Sequence, residues 1–461
     1  MRLFLPTTDS TLIFLGAAFF AYNVEYAIVL PSVFLYLQQL GATSTVWLGA
    51  AIGAVPLAGV LTAPIYSYYL DRHTISHAVV FSFVCEIVGS IWYSLATSPA
   101  EVVASRFVCG CGNLMTIAYT YIGYSIADDR GRSVWSAKIG GISKLGMLLG
   151  PAFNLLLARV EVHNVLVDVT PLNAPGWFMF FVFLALFLVL PFVYKEPVRS
   201  ASNSAQAQFK KALTINEDVE APVPTAASAA VPVRVMTRGL ISLLFAKFIS
   251  QFYQMVFETI LTPITHKVYA FSPVENSYMY SGVGVVATIS LLLIMVASKK
   301  GVRDRTLIYV GHALEFLGVL LFSIFWWHSD DSTRYPNLYV GLVLPASALV
   351  FGLPFMWTPV SSLGMKVSDP RRQGAAQSYL SGVQGIASIV APLLAGLFVN
   401  DEGADLKPLC MMLCALWALN TLVFVFTHRA LVPPPTPTET TTEVSEETTK
   451  ASERTPLLSP P

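Results

Sequence analysis

Residues 239–265 read GLISLLFAKFISQFYQMVFETILTPIT. A helix crossing a bilayer takes ~20 mostly apolar residues, and this run is long enough. Yet it carries Lys247, Gln251, Gln254, Glu258, Thr262 and Thr265 at intervals of 4, 3, 4, 4 and 3. That spacing puts all six on one face of a helix. An ionisable side chain at mid-membrane costs ~2.5–3.5 kcal/mol on insertion scales, so such a stripe cannot face lipid. It either bonds neighbouring helices, where interhelical hydrogen bonds of ~0.6 kcal/mol are ordinary, or walls a water-filled path. Its length and continuity favour the path, and both readings require further spans around it.

The rest of the chain supplies them. Of 461 residues, 54% are apolar and only 12% charged, and the mean hydropathy is +0.62. Soluble domains carry about a quarter charged residues, so an ordinary soluble enzyme is excluded. Twelve apolar runs stand near 12–36, 46–69, 76–97, 100–126, 134–158, 175–194, 239–265, 276–298, 306–327, 337–362, 375–399 and 407–427. The first is too long for a signal-peptide core and reads as a retained span. The 28 basic and 28 acidic side chains balance, which gives no electrostatic case for nucleic acid. The five cysteines lie in apolar runs without disulfide or zinc spacing, and no N-x-Ser/Thr sequon occurs.

Lysine and arginine placement orients the spans. With the N-terminus cytosolic, 20 of the 28 fall in cytosolic segments and 4 on the opposite side, while Arg106, Lys138, Lys144 and Lys247 lie within spans. Both termini are therefore expected in the cytosol. The chain divides into a first half, 1–194, a flexible Ser/Ala/Glu/Pro linker, 195–238, a second half, 239–428, and a disordered tail, 429–461.

The halves repeat each other. Glu25, Asp71, Asp129 and Pro151 parallel Glu258, Asp304, Asp369 and Pro392 at offsets of 233, 233, 240 and 241. The expected fold is an all-α membrane protein of twelve transmembrane helices in two pseudo-symmetric six-helix bundles. Two six-span halves, an acidic-basic turn after span two of each, and Gly146-x-x-x-Gly150-Pro151 in span five resemble the major facilitator superfamily. The loop motif departs from the family pattern, with Ser67 where a glycine is usual and His73-Thr74 in place of a basic run.

A narrower resemblance lies in specific strings. Phe257-Glu258-Thr259-Ile260-Leu261-Thr262-Pro263-Ile264-Thr265 followed by Val268-Tyr269-Ala270 is similar to span seven of the ceroid-lipofuscinosis neuronal protein 7 family. Ser298-Lys299-Lys300, Arg106 with Gly110, Gly112 and Asn113, and Gly352-Leu353-Pro354 fit as well. The resemblance implies an endolysosomal membrane protein acting in solute export or anion conductance. It also implies that spans one, four, seven and ten surround a central cavity. The family's N-terminal dileucine signal and long glycosylated loop between spans nine and ten are missing from residues 1–11 and 329–336.

The candidate path and proton-coupling residues are Glu25, Arg106, Asn113, Lys144, Lys247, Gln251, Gln254, Glu258 and Thr262. Glu258 is the leading coupling residue, because burial disfavours a carboxylate's charge and a nearby cation restores it, so its proton can respond to conformation and substrate. Arg106 either pairs with Glu258 or snorkels to the headgroups. Lys144 needs a partner, such as a carboxylate across the cavity. Glu86 and Glu315, in peripheral spans three and nine, read as protonated side chains bonded to adjacent helices.

At the cytosolic helix ends, Asp71, Arg72, Asp129 and Arg130, with Asp304, Arg305, Asp369 and Arg371 in the second half, form clusters expected to latch the two halves. In the tail, Glu453 precedes Leu457-Leu458 by four positions, the form read by clathrin adaptors, which points to a lysosomal, late endosomal or vacuolar membrane. No P-loop, HExxH or GxSxG string occurs, and no cofactor, metal site or enzymatic activity is expected. The leading expectation is a secondary transporter of a small solute by alternating access, with protons as a coupling ion. An anion channel of the same fold and a non-transporting sensor or scaffold are the alternatives.

Overall fold

The computed structural model describes residues 7–126, 128–163, 168–197, 237–327, 337–368, 373–399 and 406–431. Among these, twelve helical segments are long and apolar enough to cross a membrane. Spans one to six are Thr8–Ile28 continued by Val33–Gln39, Val46–Arg72, Ile75–Ser94, Pro99–Ser125, Asp129–Leu157 and Ala174–Val193. Spans seven to twelve are Arg238–Tyr269, Pro273–Lys299, Asp304–Trp326, Tyr339–Lys366, Gln373–Phe398 and Lys407–Thr427. Each lies within a few residues of its hydrophobic run, since hydrocarbon thickness sets the length of both. A short hairpin, Val162–His163 against Asp168–Val169, joins spans five and six and left no signal in the sequence. Most of the linker (198–236) and of the tail (432–461) lies outside the described residues.

Two spans that read as continuous are broken. Pro31 has no N–H to donate and its ring crowds the carbonyl four residues back, so span one loosens into a turn at residues 29–32. The carbonyls freed there still need donors inside a bilayer. Asn154 of span five donates to the Ile28 carbonyl at 2.7 Å, and Thr262 of span seven donates to the Leu30 carbonyl at 3.0 Å. Span four breaks at Cys111–Asn113, where Asn113 takes a left-handed φ of 40° and caps the following helix through Thr116. Tyr66 of span two donates to the Cys111 carbonyl at 3.0 Å.

The halves meet along two seams, span two on span eleven and span five on span eight. At the face opposite the chain termini the first seam is tight enough to demand glycine. A Cβ on Gly49 would stand 2.3 Å from the Pro392 carbonyl oxygen, and one on Gly396 would stand 2.7 Å from that of Thr45. Thr45 donates to the carbonyls of Gly396, at 2.6 Å, and of Val399. Phe34 packs edge-on against the His266 ring across the same face, between spans one and seven. This face is closed. Outward, large apolar side chains such as Phe181, Leu188, Phe192, Leu292 and Phe426 form the exposed surface expected of a lipid-facing belt.

Candidate functional site

Span seven is the most deeply buried of the twelve spans, and its polar stripe is one continuous face against other helices. Lys247 donates from Nζ to the Trp357 carbonyl of span ten at 3.3 Å. Gln251 is buried, with its Oε1 lacking a hydrogen-bond partner. Gln254 donates to Glu258 Oε1 at 2.6 Å, one turn along the same helix. Thr262 bonds across the halves to Leu30 and also meets the Tyr280 hydroxyl at 3.1 Å, while Thr265 donates to Asn276 of span eight at 2.5 Å.

Glu258 is the convergence point. Tyr26 of span one donates to its Oε2 at 3.2 Å, and Tyr280 of span eight donates to its backbone carbonyl at 2.8 Å. The carboxyl group faces a cavity of about 100 Å³, room for several waters or a small solute. Lys144 and Pro151 of span five, Gln254 and Glu258 of span seven, Tyr280 of span eight and Trp357 of span ten line it, and most of the remaining wall is aliphatic. The cavity spans the seam between halves. Lys144 Nζ sits 4.8 Å from the centre of the Trp357 ring, within cation–π range. It therefore faces an aromatic ring in the other half, and it lines the same cavity as Glu258 without an ion pair to it.

Arg106 takes neither of its two expected roles. It is buried and forms an ion pair with Glu25 of span one, so it pairs with the repeat-related mate of Glu258 rather than with Glu258, and it does not snorkel. The segment of span four that carries Arg106 packs on spans two and three, and the arginine side chain reaches from it to span one. Asn113 also points elsewhere. Its amide donates to the Gly59 carbonyl of span two at 3.1 Å and to Thr62, and it is not part of the cavity wall. Span four contributes no wall residue, and spans five and eight do. Glu315 accepts from Ser250 at 2.5 Å, as expected of a buried carboxyl bonded to an adjacent helix. Glu86 has no hydrogen-bond partner on either oxygen.

The acidic-basic turns bond within each half. Asp71 accepts from Tyr124 at 3.1 Å in the first half, where Arg72 stacks over Tyr68. Asp304 accepts from Ser362 at 2.8 Å and from Lys366 at 2.7 Å in the second. These bonds brace helix ends inside a bundle. Arg305, beside Asp304, lies in the same turn of span nine. Asp369 and Arg371, with the side chains of Asp129 and Arg130, lie outside the described residues, as do Glu453, Leu457 and Leu458.

Tyr26, Tyr280 and Trp357 were missed by sequence reasoning. Tyr26 had a signal, since it follows Glu25 in the span related to span seven. Tyr280 and Trp357 had none among so many membrane aromatics.

Twelve spans in two bonded halves, a mid-seam cavity and one closed face define a multi-pass membrane protein of transporter architecture. The family model described as Major Facilitator Superfamily matches residues 13–392 and 243–461. The chain belongs to the major facilitator superfamily. It is 21% identical to major facilitator superfamily domain-containing protein 8 of Xenopus laevis, covering 90% of each chain. It is also 21% identical to the class D tetracycline resistance protein of Salmonella ordonez, over 57% of each. Among solved structures it resembles a bacterial homologue of the human lysosomal transporter Spinster, in an inward-facing and occupied conformation (TM-score 0.65, 13% identity, 92% and 95% of the two chains). A D-xylose–proton symporter gives a TM-score of 0.64 at 17% identity, covering 93% of this chain and 98% of that one.

Proposed function

We propose that this protein is a proton-coupled secondary transporter that moves a small solute across an endolysosomal membrane by alternating access, with Glu258 as the coupling residue. The observation that carries the reading is the position of Glu258. Its carboxyl group lines the cavity between the halves and is held at once by Gln254 and by Tyr26 from the opposite half. A proton gained or lost there changes both a cavity charge and a bond between the halves. Protonation and rocking are thereby linked, as a coupled carrier requires. The aliphatic wall with Lys144, Gln254 and Glu258 at one place suits a small solute with an apolar part and a polar group.

The endolysosomal address rests on the likeness to major facilitator superfamily domain-containing protein 8 and on the Glu453, Leu457 and Leu458 signal in a cytosolic tail, where a clathrin adaptor would read it. With both termini cytosolic, the closed face is lumenal and the conformation inward-facing. The test uses Leu457→Ala/Leu458→Ala protein at the cell surface, with whole-cell chloride current recorded under acidic external medium. A carrier of this kind passes no chloride current that scales with surface protein. A chloride current that follows the chloride gradient and changes in Lys144→Ala would replace the carrier with an anion channel.

A further inference from the structure

Spans one, three and four bring Glu25, Glu86, Arg106 and Cys109 into one enclosed cluster. Their exposures are 4%, 0%, 1% and 0%, and ligand atoms of Glu25, Glu86 and Cys109 all lie within 4.8 Å of one another. The Arg106 guanidinium is ion-paired to one oxygen of Glu25. The other oxygen of Glu25 and both oxygens of Glu86 have no hydrogen-bond partner. Span four comes so close to Glu86 that a Cβ on Gly112 would stand 2.7 Å from Glu86 Oε1. The second half repeats the arrangement. Gly352, 240 positions after Gly112, packs against the backbone of Glu315, where a Cβ would stand 3.0 Å from the Glu315 nitrogen. There, however, Ser250 serves the carboxyl group. In the first half no described residue does.

Charge balance says what the cluster holds. One guanidinium offsets one carboxylate, and a second bare carboxylate beside it in a low-dielectric interior is strongly disfavoured. The other titratable groups facing Glu86 and Glu25 are Tyr22 on span one, Tyr66 on span two, Cys85 and Tyr93 on span three, and Cys109 and Cys111 on span four. Phenols and thiols supply no positive charge. Span six, which also packs on span three, carries no titratable side chain along Ala174–Val193. A divalent cation would have to share Glu25 with a guanidinium, so the ligand that fits is a proton.

We infer that Glu25, Glu86 and Arg106 form a second exchangeable proton site, separate from Glu258, in which two carboxyl groups compete for one guanidinium. In the closed cluster Arg106 holds Glu25 and the proton rests on Glu86. As the halves part and admit water, the Glu86 proton passes to it and Arg106 shifts to lie between two carboxylates. The site is wired to the cavity. Arg106 reaches the Glu25 and Tyr26 carbonyls at 3.5 Å each, and the Tyr26 hydroxyl holds Glu258. The turn at residues 29–32 interrupts span one a few residues beyond Tyr26. Release of the proton rests on the alternating-access reading, but counting the proton needs no solute.

The experiment is infrared difference spectroscopy of the full chain in lipid nanodiscs, stepped from mildly acidic to mildly alkaline pH and read in the protonated-carboxyl C=O region. The wild type is expected to lose a signal that Glu86→Gln removes and Glu258→Gln leaves in place. Glu25→Gln removes the same signal, because Arg106 then neutralises Glu86. Glu86→Asp keeps it at a shifted frequency, which separates a lost proton site from a misfolded protein. A Glu86→Gln difference spectrum that coincides with the wild type overturns the inference. So does a protonated carboxyl that persists in every condition. If Glu258→Gln alone changes nothing, the coupling role of Glu258 fails while this site stands.

Discussion

The Tyr26 hydroxyl of span one donates to Glu258 of span seven at 3.2 Å, and the residue before Tyr26 is the ion-pair partner of Arg106. One peptide of the first half therefore touches both buried acids that the internal repeat relates. A hydrogen bond to a charged group contributes ~1.5–3 kcal/mol, enough to bias which way the halves lean.

Tyr26→Phe removes that bond and keeps the ring. The expected outcome is a shift toward the conformation open at the opposite face, of about tenfold per ~1.4 kcal/mol lost. Distances between spin labels at the ends of spans two and eleven measure it. An unchanged distance distribution would mean that the bond carries no conformational bias.

Gly49→Ala acts on the closed face directly. Its Cβ meets the Pro392 carbonyl, a backbone atom that cannot rotate away. Maleimide labelling of a cysteine placed at Val399, which is buried in the seal, is expected to accelerate severalfold in the Gly49→Ala background. Labelling at the parental rate would show that the seam repacks without opening.

Breaking a buried ion pair by removing one partner costs ~3–5 kcal/mol, while removing both is far less costly. Arg106→Met alone should therefore lower the thermal midpoint clearly, and Arg106→Met/Glu25→Gln should recover most of the loss. Tryptophan fluorescence on heating reads both, and equal midpoints for the single and double variants would argue against the pair.

Asn154→Ala strands the Ile28 carbonyl left open by the turn at residues 29–32 of span one. An unmet buried acceptor costs ~1–3 kcal/mol, so the thermal midpoint is expected to fall. Asn154→Asp, which keeps the size and loses the donor, is expected to do the same.

The hydrophobic runs carried nearly the whole helical architecture, because bilayer thickness sets span length wherever the chain goes. The stripe from Lys247 to Thr265 was legible for the same reason, since a polar face at helical spacing has no stable place in lipid. The partner of Arg106 was not. Glu25 and Glu258 are repeat mates, and nothing in the spacing of span four says which of the two the arginine reaches. The break in span four had a signal in Gly110, Gly112 and Asn113, read instead as part of a family likeness and, for Asn113, as a path residue. The cavity draws walls from spans five and eight, whose backbones come close at Leu148 and Gly284, as well as from spans one, seven and ten. Nothing in either span's periodicity announces it. The acidic-basic turns were visible, but charge alone does not say whether a partner sits in the same bundle or the other.

The most direct test of coupling through Glu258 compares small solutes retained in isolated lysosomes that contain wild-type protein, Glu258→Gln protein or none. The acid gradient is kept in one set and collapsed with a protonophore in another. The account predicts that at least one solute is depleted by the wild type only while the gradient stands. Glu258→Gln lysosomes should retain it like those lacking the protein. Depletion by Glu258→Gln equal to the wild type, with the same gradient dependence, would contradict it.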